Sequence, residues 1–228
     1  MKESFMHKSF KLSGSCTQNE RQTSSVAKQV QSQISRYHGG RIFTAENFKV
    51  VGSHDAILRS LSRLVEKGEI KRIHKGIYYK PEISHILKGK ALPPDLNETI
   101  KVISRSNKEK LQVHGAIAAN TLGISNQVPM TKVFYTSGAS REIIIAGSRV
   151  KFIHTESKIL LQSSSTEVGL AISAMYFLGK ELVNEKVIFQ IKSYLTEEQF
   201  EDLKNLKLTS WMKSALDKKE YNHYDVHA

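Results

Sequence analysis

Two arginines four residues apart, Arg59 and Arg63, stand in the stretch "SHDAILRSLSRLVEKG" (Ser53–Gly68). Residues at that spacing share one face of a helix. A guanidinium on such a face can bond guanine O6 and N7 together, which suits it to read a base edge in the major groove. Ser62 falls beside them, and Ser53 and His54 open the segment, where a helix N-terminus meets base edges or a phosphate. Directly after it comes "GEIKRIHKGIYY" (Gly68–Tyr79), with Lys71, Arg72, His74 and Lys75 gathered around Gly76. Cations on a short hairpin suit the sugar-phosphate backbone, where released counterions drive binding. The candidate DNA-contacting set is therefore Ser53, His54, Arg59, Ser62, Arg63, Lys71, Arg72, His74 and Lys75.

These side chains need a scaffold, and the flanking sequence supplies one. Ser24 or Ser25 can cap a helix over "VAKQVQSQISRY", with Val26, Val30, Ile34 and Tyr37 at helical spacing and Gly39-Gly40 as its stop. "RIF" reads as an extended bridge. Thr44 caps a short helix that turns Ala45 and Phe48 inward. Ser53 then caps the longer helix, whose apolar stripe is Ile57, Leu61, Leu64 and Val65, with Arg59, Ser62, Arg63 and Glu66 opposite. Gly68 ends it. Gly76 allows a tight turn, and Ile70, Ile73 and Ile77 are expected to hold the hairpin onto the helices. Tyr78 and Tyr79 are neighbours on a strand, so one is expected to face the core and the other solvent.

Charge is concentrated in this block. The chain has 228 residues and a formal charge of +12. Residues 24–90 hold 13 Lys and Arg against 5 Asp and Glu, a net of +8, whereas residues 91–228 hold 17 against 15, a net of +2. A localised positive field attracts polyanions, nucleic acid first among them. Cys16 is the only cysteine, so no disulfide-built secreted fold is expected. No apolar run approaches the ~20 residues that span a bilayer, and the N-terminus lacks a signal-peptide core. The expectation is a soluble cytoplasmic protein with no membrane partner and a flexible tail over residues 1–23.

Residues 88–97, with Pro93-Pro94, read as a linker. Beyond it, "NETIKVISRSN" reads as a helix, and "GAIAANTLG" as a short helix ending at Gly123. "TKVFYTSG", "REIIIAG" and "RVKFIHT" read as three strands of an antiparallel meander. "STEVGLAISAMYFLGK" is a helix capped by Thr166, carrying Val168, Ile172, Met175 and Tyr176 on its apolar face and stopped by Gly179. The polar end after Trp211 is expected to fray. This second block is of the α+β type.

Catalytic chemistry finds little support. The nine histidines are scattered without metal-ligand spacing, so neither a metal nor another cofactor is expected. His114 reads as a packed or capping residue, Ser163–Thr166 as loop and cap, and Thr136–Ser140 as a turn. One enzymatic alternative is a metal-dependent nuclease using Glu142, Glu156 and Lys158, two carboxylates for Mg²⁺ and a lysine to orient water. Another alternative is an adaptor that binds RNA or an acidic protein through the basic block. One exposed tyrosine is a poor platform for base stacking, which counts against RNA.

The stretch Ile57–Pro81 also resembles the winged-helix end of the AbiEi-type antitoxins and their regulator relatives. The family's pattern falls on Leu61, Leu64, Gly68, Ile70, Arg72, Gly76 and Tyr78. Val113–Phe152, with its "AANTLG" helix followed by strands, is similar to the second domain of that group. The resemblance covers residues 24–180 and implies an α+β fold, in which an N-terminal winged helix-turn-helix domain (24–87) precedes a mixed C-terminal domain of antiparallel strands plus helices (98–228). It further implies a repressor of its own operon acting on double-stranded DNA with inverted repeats. By the same resemblance it is the antitoxin of a type IV toxin–antitoxin pair, countering a nucleotidyltransferase-like toxin, with no catalytic residue of its own.

Overall fold

The computed structural model describes residues 25–218 except 85, 87 and 88. The expected N-terminal tail (1–23) and the residues past 218 lie outside the described residues. The chain is a mixed α+β protein. Among the described residues no helix is long and apolar enough to cross a membrane.

The first unit follows the order expected from its caps and glycines. Helix α1 (Val26–Ser35) starts at Ser25, whose hydroxyl accepts from the Lys28 amide at 3.4 Å. Strand β1 (Ile42–Thr44), a 3-10 turn (Ala45–Phe48), helix α2 (His54–Glu66) and strands β2 (Lys71–His74) and β3 (Ile77–Tyr79) follow. The sheet order is β1-β3-β2, and both pairings are antiparallel. Val30, Ile34, Phe43, Phe48, Ile57, Leu61, Ile70 and Tyr78 form one buried core. Inside it the Phe43 ring meets Tyr37 at 5.3 Å, Phe48 at 5.8 Å and Tyr78 at 6.1 Å. Lys80 Nζ donates to the Ser35 and Tyr37 carbonyls at 2.9 and 2.7 Å, tying the strand exit to the end of α1.

A two-stranded hairpin, β4 (Ile83–Ser84) with β5 (Lys90–Ala91), leads towards helix α3 (Leu96–Asn107). β5 and the start of α3 thus fall within the stretch read as a linker, with the two prolines between them. Asp95 caps α3 by accepting from the Glu98 amide at 2.6 Å.

Helix α3 changes the account of the hairpin. Its Ile100 and Ile103 form a buried cluster with Ile77, Leu111, Ile143, Ile145, Val150 and Phe152, against which Ile42 and Ile73 pack. Of the three hairpin isoleucines, only Ile70 joins the core beneath the first helices. Ile73 and Ile77 point to the other face and meet α3. The expectation of one exposed tyrosine fails as well: Tyr78 joins the first core, and Tyr78 and Tyr79 are 4% and 6% exposed. Both faces of β3 are covered, and burial pushes the Tyr79 hydroxyl above its ordinary pKa.

The second unit comprises β6 (Leu111–Val113), α4 (Gly115–Thr121), β7 (Lys132–Thr136), β8 (Arg141–Ile145), β9 (Ser148–His154), α5 (Lys158–Leu161), α6 (Glu167–Leu182), α7 (Glu185–Tyr194), α8 (Glu197–Asn205) and α9 (Ser210–Leu216). The expected antiparallel meander is corrected here. The sheet order is β6-β7-β9-β8, and β7 pairs with β9 in parallel, Phe134 opposite Phe152. The four residues after β7 span the end of β9 instead of turning back beside β7. They are held there: the His154 amide donates to Ser140 Oγ at 2.8 Å, and His154 Nδ1 donates to the Gly138 carbonyl at 2.8 Å. Along β8 and β9 the inward residues Ile143, Ile145, Val150 and Phe152 face α3, whereas Glu142, Ile144, Arg149 and Lys151 are exposed.

The remaining helices make their own core from Ala118, Ala119, Ile172, Met175, Ile188, Ile191, Leu203, Met212 and Leu216. Gly115 allows α4 to lie against α6, because a Cβ there would overlap Phe177 Cβ and the Ser173 carbonyl. Gly179, the expected stop, breaks the path of α6 at φ 73°, and a short helical stretch continues past it to Leu182. Tyr176 is not on the apolar face; it is 45% exposed. The end after Trp211 is also corrected in part, since Met212 and Leu216 are buried and α9 is packed.

Candidate nucleic-acid interface

Helix α2 is built to show one polar face. The Ser53 hydroxyl accepts from the Ala56 amide at 3.4 Å, satisfying a donor that the first turn leaves open. Ile57, Leu61 and Leu64 are buried at 4% exposure or less and seat the helix. Ser60 is buried too, and its hydroxyl donates back to the Ala56 carbonyl at 2.8 Å. The outward residues include Ser53, His54, Arg59, Ser62 and Arg63, all exposed, with the exposed acids Asp55 in the first turn and Glu66 at the last residue of the helix. Ser53 thus has a structural task as the cap. Arg59 Nε donates to the Asp55 carbonyl at 3.3 Å, which lays that side chain back towards the start of the helix.

The hairpin leaves the C-terminal end of α2 within four residues. Gly68 takes φ +74°, and the Glu69 and Ile70 amides both donate to the Leu64 carbonyl. Ile70 is fully buried and anchors the exit. In the β2–β3 ladder Lys71 faces Tyr79, Arg72 faces Tyr78 and His74 faces Ile77, with a shift in register between Arg72 and His74. Gly76 makes the turn at φ +75°. Lys71, Arg72 and Lys75 are exposed; His74 is partly covered. Arg72 Nε donates to the His74 carbonyl at 3.3 Å, so this arginine braces the turn.

The arrangement therefore gathers Arg59 and Arg63 on one helix face and Lys71, Arg72 and Lys75 on the hairpin after it. No carboxylate among the described residues lies within ion-pair distance of any of them. Every ion pair among the described residues lies between Glu98 and Lys204. Uncompensated cations in one place are the electrostatic condition for holding a polyanion.

The residues of the nuclease alternative lie on β8, on the β9–α5 connection and at the start of α5. Glu142 stands opposite Lys151 and its carboxylate meets Arg149 Nε at 3.3 Å. Glu156 lies between β9 and α5, and Lys158 opens α5. The described residues contain no group of three or more His, Cys, Asp or Glu arranged to hold a metal ion.

Two further polar groupings lie beyond the cationic surface; the first of them, Arg141 with Glu109, has no counterpart in the sequence reading. Arg141 grips Glu109 with two hydrogen bonds, and Thr136 Oγ1 donates to the same carboxylate at 3.2 Å. His114, at the head of α4, accepts from the Ala116 amide through Nδ1 at 3.3 Å. Its ring lies between Tyr135, 4.9 Å away, and Phe177, 5.5 Å away, and burial lowers its pKa. It is both cap and packing residue, as expected.

Fold and surface together define a mixed α+β protein with a cationic helix–hairpin at one end. The chain belongs to DUF6088, a family of unknown function that matches residues 29–203. That span runs from α1 into α8, so both units belong to the family's pattern. No curated protein matches the chain.

Proposed function

We propose that the chain is a DNA-binding transcriptional repressor whose first unit is a winged helix-turn-helix domain. In this reading α2 is the recognition helix and the β2–β3 hairpin is the wing. One observation carries it: the order helix, strand, short helix, helix, hairpin, closed by a β1-β3-β2 sheet, presents unpaired Arg59, Arg63, Lys71 and Lys75 on an exposed helix and the strand pair that follows. A helix with a buried stripe and a polar face is what major-groove docking requires, and cations on the hairpin after it suit the backbone. Ser53 and Arg72 act indirectly, as cap and brace, while His54, Ser62 and His74 lie at the edges of the contact.

The further role, antitoxin of a type IV pair countering a nucleotidyltransferase-like toxin, rests on the resemblance of Ile57–Pro81 and Val113–Phe152 to that group. The second unit, spanning the four-stranded sheet and helices α4 to α9, is the effector part in this reading. Titrating the full chain against duplexes from the region upstream of its own gene tests the repressor role. Salt-sensitive binding with preference for one duplex is expected, and no binding at low salt refutes it. Co-expression with the neighbouring gene tests the antitoxin role separately. If that gene's product arrests growth and this chain brings no relief, the antitoxin role falls while the repressor role stands.

A further inference from the structure

We infer that the outer face of α1 is a second DNA-backbone contact, flanking α2 at the end opposite the wing. The inference rests on the proposed DNA binding and deepens it by assigning residues outside the helix-and-hairpin set.

The observation is a shallow hollow of about 460 Å³ lined by Lys28, Gln29, Ser32, Gln33, Arg36 and Val51. Lys28 and Ser32 on α1 and Arg36 at its C-cap recur every fourth residue, next to the buried stripe of Val30 and Ile34. At 1.5 Å per residue the two cations span about 12 Å along the helix. Both are exposed, neither meets a carboxylate among the described residues, and no acidic residue lines the hollow. The floor is braced, since Gln33 Nε2 donates to Tyr37 Oη at 3.1 Å and to the Asn47 carbonyl at 3.3 Å.

Location decides what the hollow faces. Val51 lies two residues before the Ser53 cap of α2, and Gly52 sits so close to Val26 that a Cβ would overlap its Cγ2. The hollow is thus fixed beside the N-terminal end of α2, while the hairpin leaves the C-terminal end. A recognition helix puts its N-terminal residues among base edges, so the sugar-phosphate strand bordering the groove passes near that end. An ammonium, a guanidinium and a hydroxyl on one stripe are the donors that grip phosphate oxygens, and they carry no sequence preference.

The test uses the full chain and a fluorescein-labelled duplex of mixed sequence, titrated over a series of salt concentrations. Each lost phosphate contact flattens the slope of log K against log salt by about 0.9, so Lys28→Gln with Arg36→Gln is expected to flatten it by about 1.8. Over a fourfold rise in salt, wild type should then lose roughly tenfold more affinity than the double variant. Ser32→Glu places a carboxylate mid-stripe and should weaken binding with both cations intact. If both variants match wild type while Lys71→Gln with Lys75→Gln flattens the slope, the α1 contact is refuted and DNA binding stands. If wild type binds no duplex at any salt, the repressor reading falls and takes this inference with it.

Discussion

Arg141 and Glu109 form a two-pronged pair, Nη1 to Oε1 at 3.0 Å and Nη2 to Oε2 at 2.7 Å, with only 23% and 11% of their side chains exposed. The guanidinium also lies 4.4 Å from the centre of the Phe152 ring, and Thr136 holds the second carboxylate oxygen. This pair joins the segment before β6 to the first residue of β8, across the two central strands. It pins the loop that makes β7 and β9 parallel.

Removing one partner leaves the other charge largely shielded from water and without compensation. Arg141→Ala is expected to destabilise the chain by about 3 kcal/mol, the lower end for a broken buried pair. The measurement is the urea midpoint at unchanged slope. Salt dependence on DNA should not move, because Arg141 is outside the cationic surface. A loss below about 0.5 kcal/mol would place the pair with ordinary surface pairs.

Arg59→Ala and Arg63→Ala are each expected to cost about 1–3 kcal/mol on a preferred duplex and to relax sequence preference. Lys75→Ala should weaken every duplex alike and flatten the salt slope by about 1. Competition binding with preferred and scrambled duplexes separates the two behaviours. If the arginine variants discriminate as wild type does, α2 is not the reader.

His114 gives a stability prediction with a definite sign. Burial lowers its pKa below the ordinary 6.5, so the folded chain holds the neutral ring more strongly than the unfolded chain does. The neutral ring is also what lets Nδ1 accept from the Ala116 amide. Its contribution is present above pH 6.5, falls as pH drops below 6.5, and levels off beneath the folded value. The rings against it are Tyr135 and Phe177, and burial alone accounts for the shift, with no acid contributing to it. His114→Asn keeps a capping side chain and removes the titration. Melting curves across that range should fall less steeply for the variant than for wild type; parallel profiles would refute the assignment.

What could be read from the sequence was what local chemistry specifies. The period of Ile57, Leu61 and Leu64 gave α2 its buried face, and Ser53 and Gly68 marked its ends. Elsewhere distant segments decide the structure. "IYY" at Ile77–Tyr79 is a continuous apolar run, the mark of a strand covered on both faces, and alternation was the wrong template for it. Helix α3, whose Ile100 and Ile103 cluster with Ile77, begins 17 residues after Tyr79, at Leu96. The four-residue connection after β7 looks like a hairpin loop by length alone. Its crossing of β9 depends on His154, which no local rule links to Gly138 and Ser140. Glu109 and Arg141, 32 residues apart, leave no trace in spacing.

The cluster around Ile103 yields a test of how far the two units fold as one. Ile103 is 1% exposed and shares its cluster with Ile77 of the first sheet and with Ile143, Val150 and Phe152 of the second. Ile103→Ala removes packing on both sides at once and is expected to cost about 2–5 kcal/mol. Since Ile77 of β3 shares this cluster and Ile73 packs against it, the loss should reach β3. Amide exchange at Tyr78 and Tyr79 should quicken along with that of Ile143 and Val150. The salt slope for DNA should be kept wherever the variant remains folded, because Lys71, Lys75 and Arg63 are untouched. If exchange quickens in the second sheet and stays unchanged in β3, the first unit is stabilised by its own aromatic core. The shared cluster would then be a contact between two independently cooperative bodies.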